Sequence, residues 1–182
     1  ETLVNLIGEL LDSTKIEAGK LTVEDFPFNL HRLMDDIVAV NDVIATQKGL
    51  TFNVSVDPQI PPLLRGDPYR IRQILINLVG NALKFTERGG VSVAVKLAEL
   101  KEGAAALRFE VRDSGVGIPK EHQAKLFQPY VQGDDSTPRR YGGTGLGMAI
   151  VRELVTLMGG QVGVESVEGR GTMVWVALKL RI

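Results

Sequence analysis

Apolar residues recur with a helical period over residues 1–18, where Leu3, Leu6, Ile7, Leu10, Leu11 and Ile16 share one side. Gly19 then reads as a C-cap. Over Leu21–Phe26 the period shortens to alternation, which predicts a strand punctuated by Pro27. Asn29 reads as the N-cap of a helix running to about Lys48, with Leu30, Leu33, Met34, Ile37 and Val38 inward and Gly49 at its end. Thr51–Val56 alternates as a half-buried strand, and the proline-rich Asp57–Arg65 reads as a connector to the next helix.

That helix is sharply marked. Asp67 is an N-cap, Pro68 occupies the first helical position, and Ile71, Ile74, Leu75, Leu78, Val79 and Ala82 form an inward stripe. Val91–Glu99 and Ala105–Arg112 read as two strands of a hairpin turning around Lys101–Gly103. Pro119–Phe127 predicts a short helix, and Gln132–Arg140 a polar, mobile stretch. A helix then carries Leu146, Ile150, Leu154, Leu157 and Met158 on one face, and a last hairpin pairs Gln161–Ser166 with Thr172–Leu180 around Gly169 and Gly171. Helices interleaved with hairpins predict an α+β fold, a two-layer α/β sandwich whose mixed, mainly antiparallel sheet is covered on one face by three helices.

Composition narrows the function. The chain has 182 residues, of which 44% are hydrophobic, enough to bury a core. A net charge of -1 argues against a nucleic-acid partner, which would select a basic stripe. There is no cysteine, and the two histidines, His31 and His122, lie far apart, so thiolate and zinc chemistry are excluded. No apolar run approaches the roughly 18 residues of a membrane span, so no direct membrane contact is expected. The first residue is Glu within a helical pattern, which leads us to expect a piece of a longer protein.

Two glycine-rich loops carry the candidate chemistry. Tyr141-Gly-Gly-Thr-Gly-Leu-Gly-Met148 feeds a helix, whose N-terminal N–H groups and dipole suit phosphate. Its glycines do not fit the dinucleotide spacing, and no Lys-Ser or Lys-Thr follows as in a Walker loop. Upstream, Asp113-Ser-Gly-Val-Gly117 sets one carboxylate beside two glycines, either as a turn cap or as a reader of an exocyclic amine. On the helix opened by Asp67, Asn77, Asn81 and Lys84 are spaced four and three apart and share one face. An exposed polar stripe is the plain interpretation. The sharper one is an amide oxygen for Mg²⁺ with a lysine for phosphate charge.

Taken in order, Asn77-Leu-Val-Gly-Asn-Ala-Leu-Lys-Phe-Thr86, Asp113-Ser-Gly-Val-Gly-Ile118, Leu126-Phe-Gln-Pro-Tyr130, Gly143-Thr-Gly-Leu-Gly147 and Gly169-Arg-Gly-Thr172 resemble the catalytic and ATP-binding domain of hybrid-type sensor histidine kinases. The resemblance covers nearly the whole chain and implies the Bergerat ATP-binding fold over residues 21–182. Residues 1–20 resemble the end of the second helix of a dimerisation and phosphotransfer hairpin. By resemblance Asn81 is the Mg²⁺ ligand, with Asn77 beside it and Lys84 on phosphate. Asp113 is the adenine-binding aspartate, with Gly115 and Gly117 giving the base room. Phe127 precedes an ATP lid over about 132–142, in which Arg140 (with Arg139) either reaches phosphate or forms an exposed basic pair. Gly143, Thr144, Gly145, Leu146 and Gly147 form the phosphate loop, and Thr172 belongs to the terminal glycine signature. Tyr130 and Met148 stand where relatives commonly carry Phe and Leu, mild apolar exchanges.

The resemblance further implies ATP and Mg²⁺ as cofactors, the chain's own hairpin and a downstream response regulator or receiver domain as partners, and a cytoplasmic domain of a parent anchored in the cell membrane. Hydrolases of the same fold place a glutamate one turn before the metal-binding asparagine. Here that position is Asn77, an amide that cannot accept a proton, which favours transfer over hydrolysis. The phosphoacceptor histidine of the hairpin and its acidic neighbour are missing, since His31 and His122 fall elsewhere. The competing expectation is a degenerate domain that regulates another kinase by protein contact.

Overall fold

In a computed structural model of the chain, residues 21–128 and 146–182 are described. The expected helix over 1–18 with its Gly19 cap, the domain boundary at residue 20, and the polar stretch at 132–140 lie outside the described residues. The elements run β1 (Phe26–Asn29), α1 (Leu30–Gln47), β2 (Thr51–Val56), β3 (Leu63–Gly66), α2 (Pro68–Phe85), β4 (Gly90–Lys101), β5 (Ala104–Asp113), α3 (Lys120–Gln123), α4 (Gly147–Leu157), β6 (Gln161–Val167) and β7 (Gly171–Arg181). The seven strands form one sheet in the order β1-β3-β7-β5-β4-β2, with β6 also pairing β7. Strand β7 accommodates two neighbours on one edge because β6 takes Gly171–Ala177 and β3 meets it only at Arg181. Only β2 and β4 run parallel, so the sheet is mixed and mainly antiparallel.

Helices form where capping and apolar period agree. Asn29 accepts the N–H of Arg32 at 3.0 Å, and Leu30, Leu33, Met34, Ile37, Asn41 and Ala45 are buried along α1. The buried Asn41 donates its amide N–H to the Ile37 carbonyl at 2.8 Å, which satisfies one of its donors without leaving the helix. At the C-terminus Gly49 adopts φ +68°, while Leu50 and Gly49 donate to Ala45 and Thr46 in the paired pattern of a Schellman cap. Helix α2 buries the whole expected stripe and Leu83 as well.

The core lies between the long helices α1, α2 and α4 and one face of the sheet. Val91, Val93 and Val95 of β4, Ala105, Leu107, Phe109 and Val111 of β5, and Val176, Leu178 and Leu180 of β7 supply the sheet side. These alternate with outward residues, so the other face remains uncovered among the described residues. There, Asn53, Ser92, Arg112, Met173 and Glu165 stand in one row across five strands, and the Arg108 guanidinium stacks over Trp175 at 4.3 Å.

Three expectations are corrected. Leu21–Asp25 makes no strand, and pairing begins only at Phe26, antiparallel to β3. Pro27 sits inside this strand rather than ending it, because β1 is an edge where a missing N–H is tolerated. The supposed connector at 57–65 contains the start of β3, whose ladder exists only because β1 and β7 lie beside it. On α4, Met148, Ala149, Val151 and Val155 are buried with Ile150 and Leu154, whereas Leu157 is 39% exposed and Met158 half-buried. The helix is wedged between α2 and β6, so it buries a wider and rotated arc than its leucines suggested.

Asp67 joins the leading segment to α2. Its Oδ1 accepts the N–H of Arg70 at 3.1 Å, its Oδ2 accepts the N–H of Glu24 at 3.0 Å, and the residue is 2% exposed. Nearby, Asp25 pairs with Arg65 at 3.3 Å and Arg181 at 2.7 Å. Replacing Asp67 with Ala removes the cap and strands a second N–H, so urea unfolding should show a loss of about 2–4 kcal/mol. Asp67→Asn keeps a capping oxygen and should lose about half of that or less.

Candidate functional site

The inward register of β5 reaches its last position at Asp113. Ala105, Leu107, Phe109 and Val111 face the helices, and the next residue on that side is the carboxylate. The ladder between β5 and β7 ends at Arg112 and Met173. One step further, the N–H of Thr172 turns to Asp113 Oδ1 at 3.2 Å, which also accepts the N–H of Gly115 at 2.8 Å. Both of the Asp113 side-chain bonds found among the described residues converge on Oδ1. Oδ2 receives neither of these two bonds. Burial raises the Asp113 carboxyl above the ordinary aspartate range, against the two N–H groups that favour its charged form.

Glycines hold this carboxylate in a crowded corner. A Cβ on Gly115 would stand 2.4 Å from the Phe85 carbonyl oxygen, at the end of α2. Gly117 has φ +70° and would meet the Val167 carbonyl at 2.1 Å, while the Gly169 N–H donates to the Val116 carbonyl at 2.7 Å. The loop after β5 is therefore pinned between the end of α2 and the β6–β7 turn. Gly171, buried with φ +106°, lies where a Cβ would be 2.1 Å from the Asp113 carbonyl oxygen.

Asn77, Asn81 and Lys84 lie half-buried along α2, beside its apolar stripe. Lys84 Nζ sits 5.2 Å over the Phe85 ring. Gly147 is the first residue of α4, and a Cβ there would come 3.5 Å from Asn77 Oδ1. The amide of Asn77 and the N-terminus of α4 are thus neighbours, and α4 has no side-chain cap among the described residues. Leu146 is buried, and Phe127 packs half-buried against the core. Arg140, Gly143, Thr144 and Gly145 lie outside the described residues, as do Tyr130 and Arg139.

Two groupings result: Asp113, Gly115 and Thr172 at the sheet end, and Asn77 with Gly147 where α2 meets α4. The Phe85 carbonyl links them through the loop, because the Val116 N–H points to it at 3.4 Å. A cavity of about 860 Å³ is lined by Asn53, Ser92, Arg112 and Glu165 of the uncovered sheet face and also by Asp113, Gln123, Ser166 and Thr172. Asn77, Asn81 and Lys84 do not line it, so the cavity takes in the Asp113 corner and not the grouping where α2 meets α4. Sequence reasoning missed Ser166 and Gln123, whose side chains bond Thr172 and the loop after Asp113; no motif in the sequence marks either of them.

Residues 66–182 match the family described as "Histidine kinase-, DNA gyrase B-, and HSP90-like ATPase". The chain belongs to this family. It is 40% identical over 178 residues to the signal transduction histidine-protein kinase BarA of Escherichia coli K12, covering 98% of this chain and 19% of BarA. It is 43% identical over 180 residues to the sensor protein GacS of Pseudomonas syringae, covering 99% of this chain and 20% of GacS. The chain thus spans about a fifth of the length of these curated relatives. Its fold superposes on full-length ShkA in complex with AMPPNP with a TM-score of 0.84 and 32% identity, covering 97% of this chain and 35% of ShkA. The chain thus has the fold that the motifs implied, and it matches one stretch of the longer histidine kinase BarA. Among the described residues no helix is long and apolar enough to cross a membrane.

The corner at Gly171 gives a direct test. Gly171→Ala combines a strained φ with a backbone clash and should destabilise the fold by about 3 kcal/mol or more in urea unfolding. Gly169→Ala, where φ is +74° but nothing lies within 4 Å, should cost only about 1 kcal/mol.

Proposed function

We propose that the chain binds ATP with Mg²⁺ and transfers the γ-phosphoryl group to a histidine on a dimerisation and phosphotransfer hairpin. The observation that carries this is the Asp113 carboxylate, with Oδ1 committed to two backbone N–H groups and Oδ2 available to an exocyclic amine. Adenine presents such an amine where guanine presents a carbonyl. Gly115 and Gly117 keep side chains away from the base, and Thr172 lies beside the carboxylate.

At the other end, Gly147 and its neighbours Gly143, Thr144, Gly145 and Leu146 offer N–H groups to the phosphates, with Lys84 and Arg140 supplying positive charge. Asn81 is the metal ligand of this reading, with Asn77 beside it. No cluster of three or more His, Cys, Asp or Glu side chains is placed to hold a metal among the described residues. That donor set fits Mg²⁺, which takes few protein ligands and shares phosphate oxygens and water, and amide oxygens are hard donors. Bound there, Mg²⁺ would neutralise charge on the phosphates.

The transfer breaks the bond between the γ-phosphorus and the β,γ-bridging oxygen and forms a phosphorus–nitrogen bond on the acceptor imidazole, with ADP leaving. The chain contributes positioning and charge neutralisation, which dominate phosphoryl-transfer catalysis. Asn77 supplies no general base for water, in keeping with transfer. The phosphoryl group then passes to a response regulator or receiver domain, and the parent protein carries this domain on the cytoplasmic side of the cell membrane.

Mixing the chain and labelled ATP with a separate family hairpin bearing the acceptor histidine should give acid-labile label on that hairpin. Label on His31 or His122 of the chain alone would contradict the assignment. For Asp113, protonation falls on Oδ2, since Oδ1 accepts two N–H groups, and turns Oδ2 into a donor, so affinity should fall as pH drops through its raised pKa, at a higher pH than an ordinary aspartate would require. The same raised pKa means that charging this group costs stability as pH rises through it. Asp113→Asn should therefore weaken ATP binding at least about tenfold by calorimetry while leaving the fold at least as stable at neutral pH.

A further inference from the structure

Beside Asp113 and Thr172 lies a second set of hydrogen bonds centred on Ser166, the penultimate residue of β6. Ser166 Oγ accepts the N–H of Ile118 at 2.7 Å, bonds the Gly171 carbonyl at 2.9 Å, and lies 2.8 Å from Thr172 Oγ1. Gln123 of α3 closes the layer by donating from Nε2 to the carbonyls of Ile118 at 2.8 Å and Ser166 at 2.9 Å.

Proton counting assigns a direction to these bonds. A carbonyl only accepts, so the Ser166–Gly171 bond uses the single hydroxyl proton of Ser166. The two lone pairs of Ser166 then receive the Ile118 N–H and, by elimination, the hydroxyl of Thr172. Thr172 spends its own proton backward, on Ser166. Whatever else Thr172 Oγ1 offers is an acceptor, as the oxygens of the Asp113 carboxylate are, and that carboxylate accepts the Thr172 N–H.

We propose that Ser166 is a specificity-determining positioning residue, which orients the Thr172 hydroxyl so that the base end of the site presents acceptors only. An acceptor pair favours a base edge bearing an amino group and opposes one bearing a carbonyl, whose lone pairs would face oxygens with no proton between them. Ser166 therefore contributes to the choice of adenine over guanine without touching the nucleotide. Through Ile118 it also holds the loop that carries Gly115 and Gly117, and Gln123 braces the same loop from α3.

This inference rests on the reading of Asp113 as the base site, and the experiment separates the two. ATP, GTP and inorganic tripolyphosphate, each with Mg²⁺, are titrated calorimetrically into the 182-residue chain and its Ser166→Ala and Ser166→Thr variants. Ser166→Ala should bind ATP about tenfold more weakly and narrow the preference for ATP over GTP by a similar factor. Tripolyphosphate binding should stay unchanged, and Ser166→Thr, which keeps the hydroxyl, should retain most of the ATP preference. Wild-type ATP preference in Ser166→Ala would overturn the inference while leaving the base site standing. Equal losses for all three ligands, or a Ser166→Thr that behaves as Ser166→Ala, would reduce Ser166 to a structural role. Failure of the unmodified chain to prefer ATP to GTP would overturn the base-site reading itself.

Discussion

The inward register of β5 is the constraint on which the site depends. Four apolar side chains, Ala105, Leu107, Phe109 and Val111, lock that strand against the helices, and a one-residue slip would turn all of them to the uncovered face. The same register carries Asp113 to the helix side at the point where the ladder with β7 ends. Packing of hydrophobic residues thus aims a carboxylate. The N–H of Thr172, released from the ladder, becomes a hydrogen-bond donor to that carboxylate.

Helix α2 serves the site from both ends. Asp67 caps its start and also takes the N–H of Glu24, so the leading segment and the helix share one buried carboxylate. Its final carbonyl, that of Phe85, meets Gly115 and Val116. Between these anchors the polar residues Asn77, Asn81 and Lys84 flank the apolar stripe, and Asn77 lies against the start of α4. Anchoring at both ends fixes the azimuth and the axial position of the helix. The corner around Asp113 and the start of α4 are thereby held at a set separation.

How much of this was legible in the chain varied with the range of the interaction. Asp67, Pro68 and the stripe from Ile71 to Ala82 specify α2 locally, and Asn29 and Gly49 bracket α1 in the same way. The β4–β5 and β6–β7 hairpins were legible because their pairing partners are adjacent in sequence. Strands β1 and β3 were not, because they pair with each other across an intervening helix and strand, and β3 also with the distant β7. The buried arc of α4 was misplaced because burial there depends on α2 and β6, neither of which its own periodicity encodes.

The residue chemistry was determined by the sequence alone: a carboxylate beside paired glycines, amides and a lysine at helical spacing, and a glycine loop feeding a helix. Their order identifies the family, because each motif is weak and the set is not. The tertiary structure decided that the N–H groups of Gly115 and Thr172 both fall on Oδ1 of Asp113, and that Ser166 and Gln123 bond around the same corner. The reason is physical. Side-chain type and spacing are properties of the local chain, whereas the direction of a hydrogen bond exists only once β5, β6, β7 and the loop between β5 and α3 have been brought to one corner of the sheet.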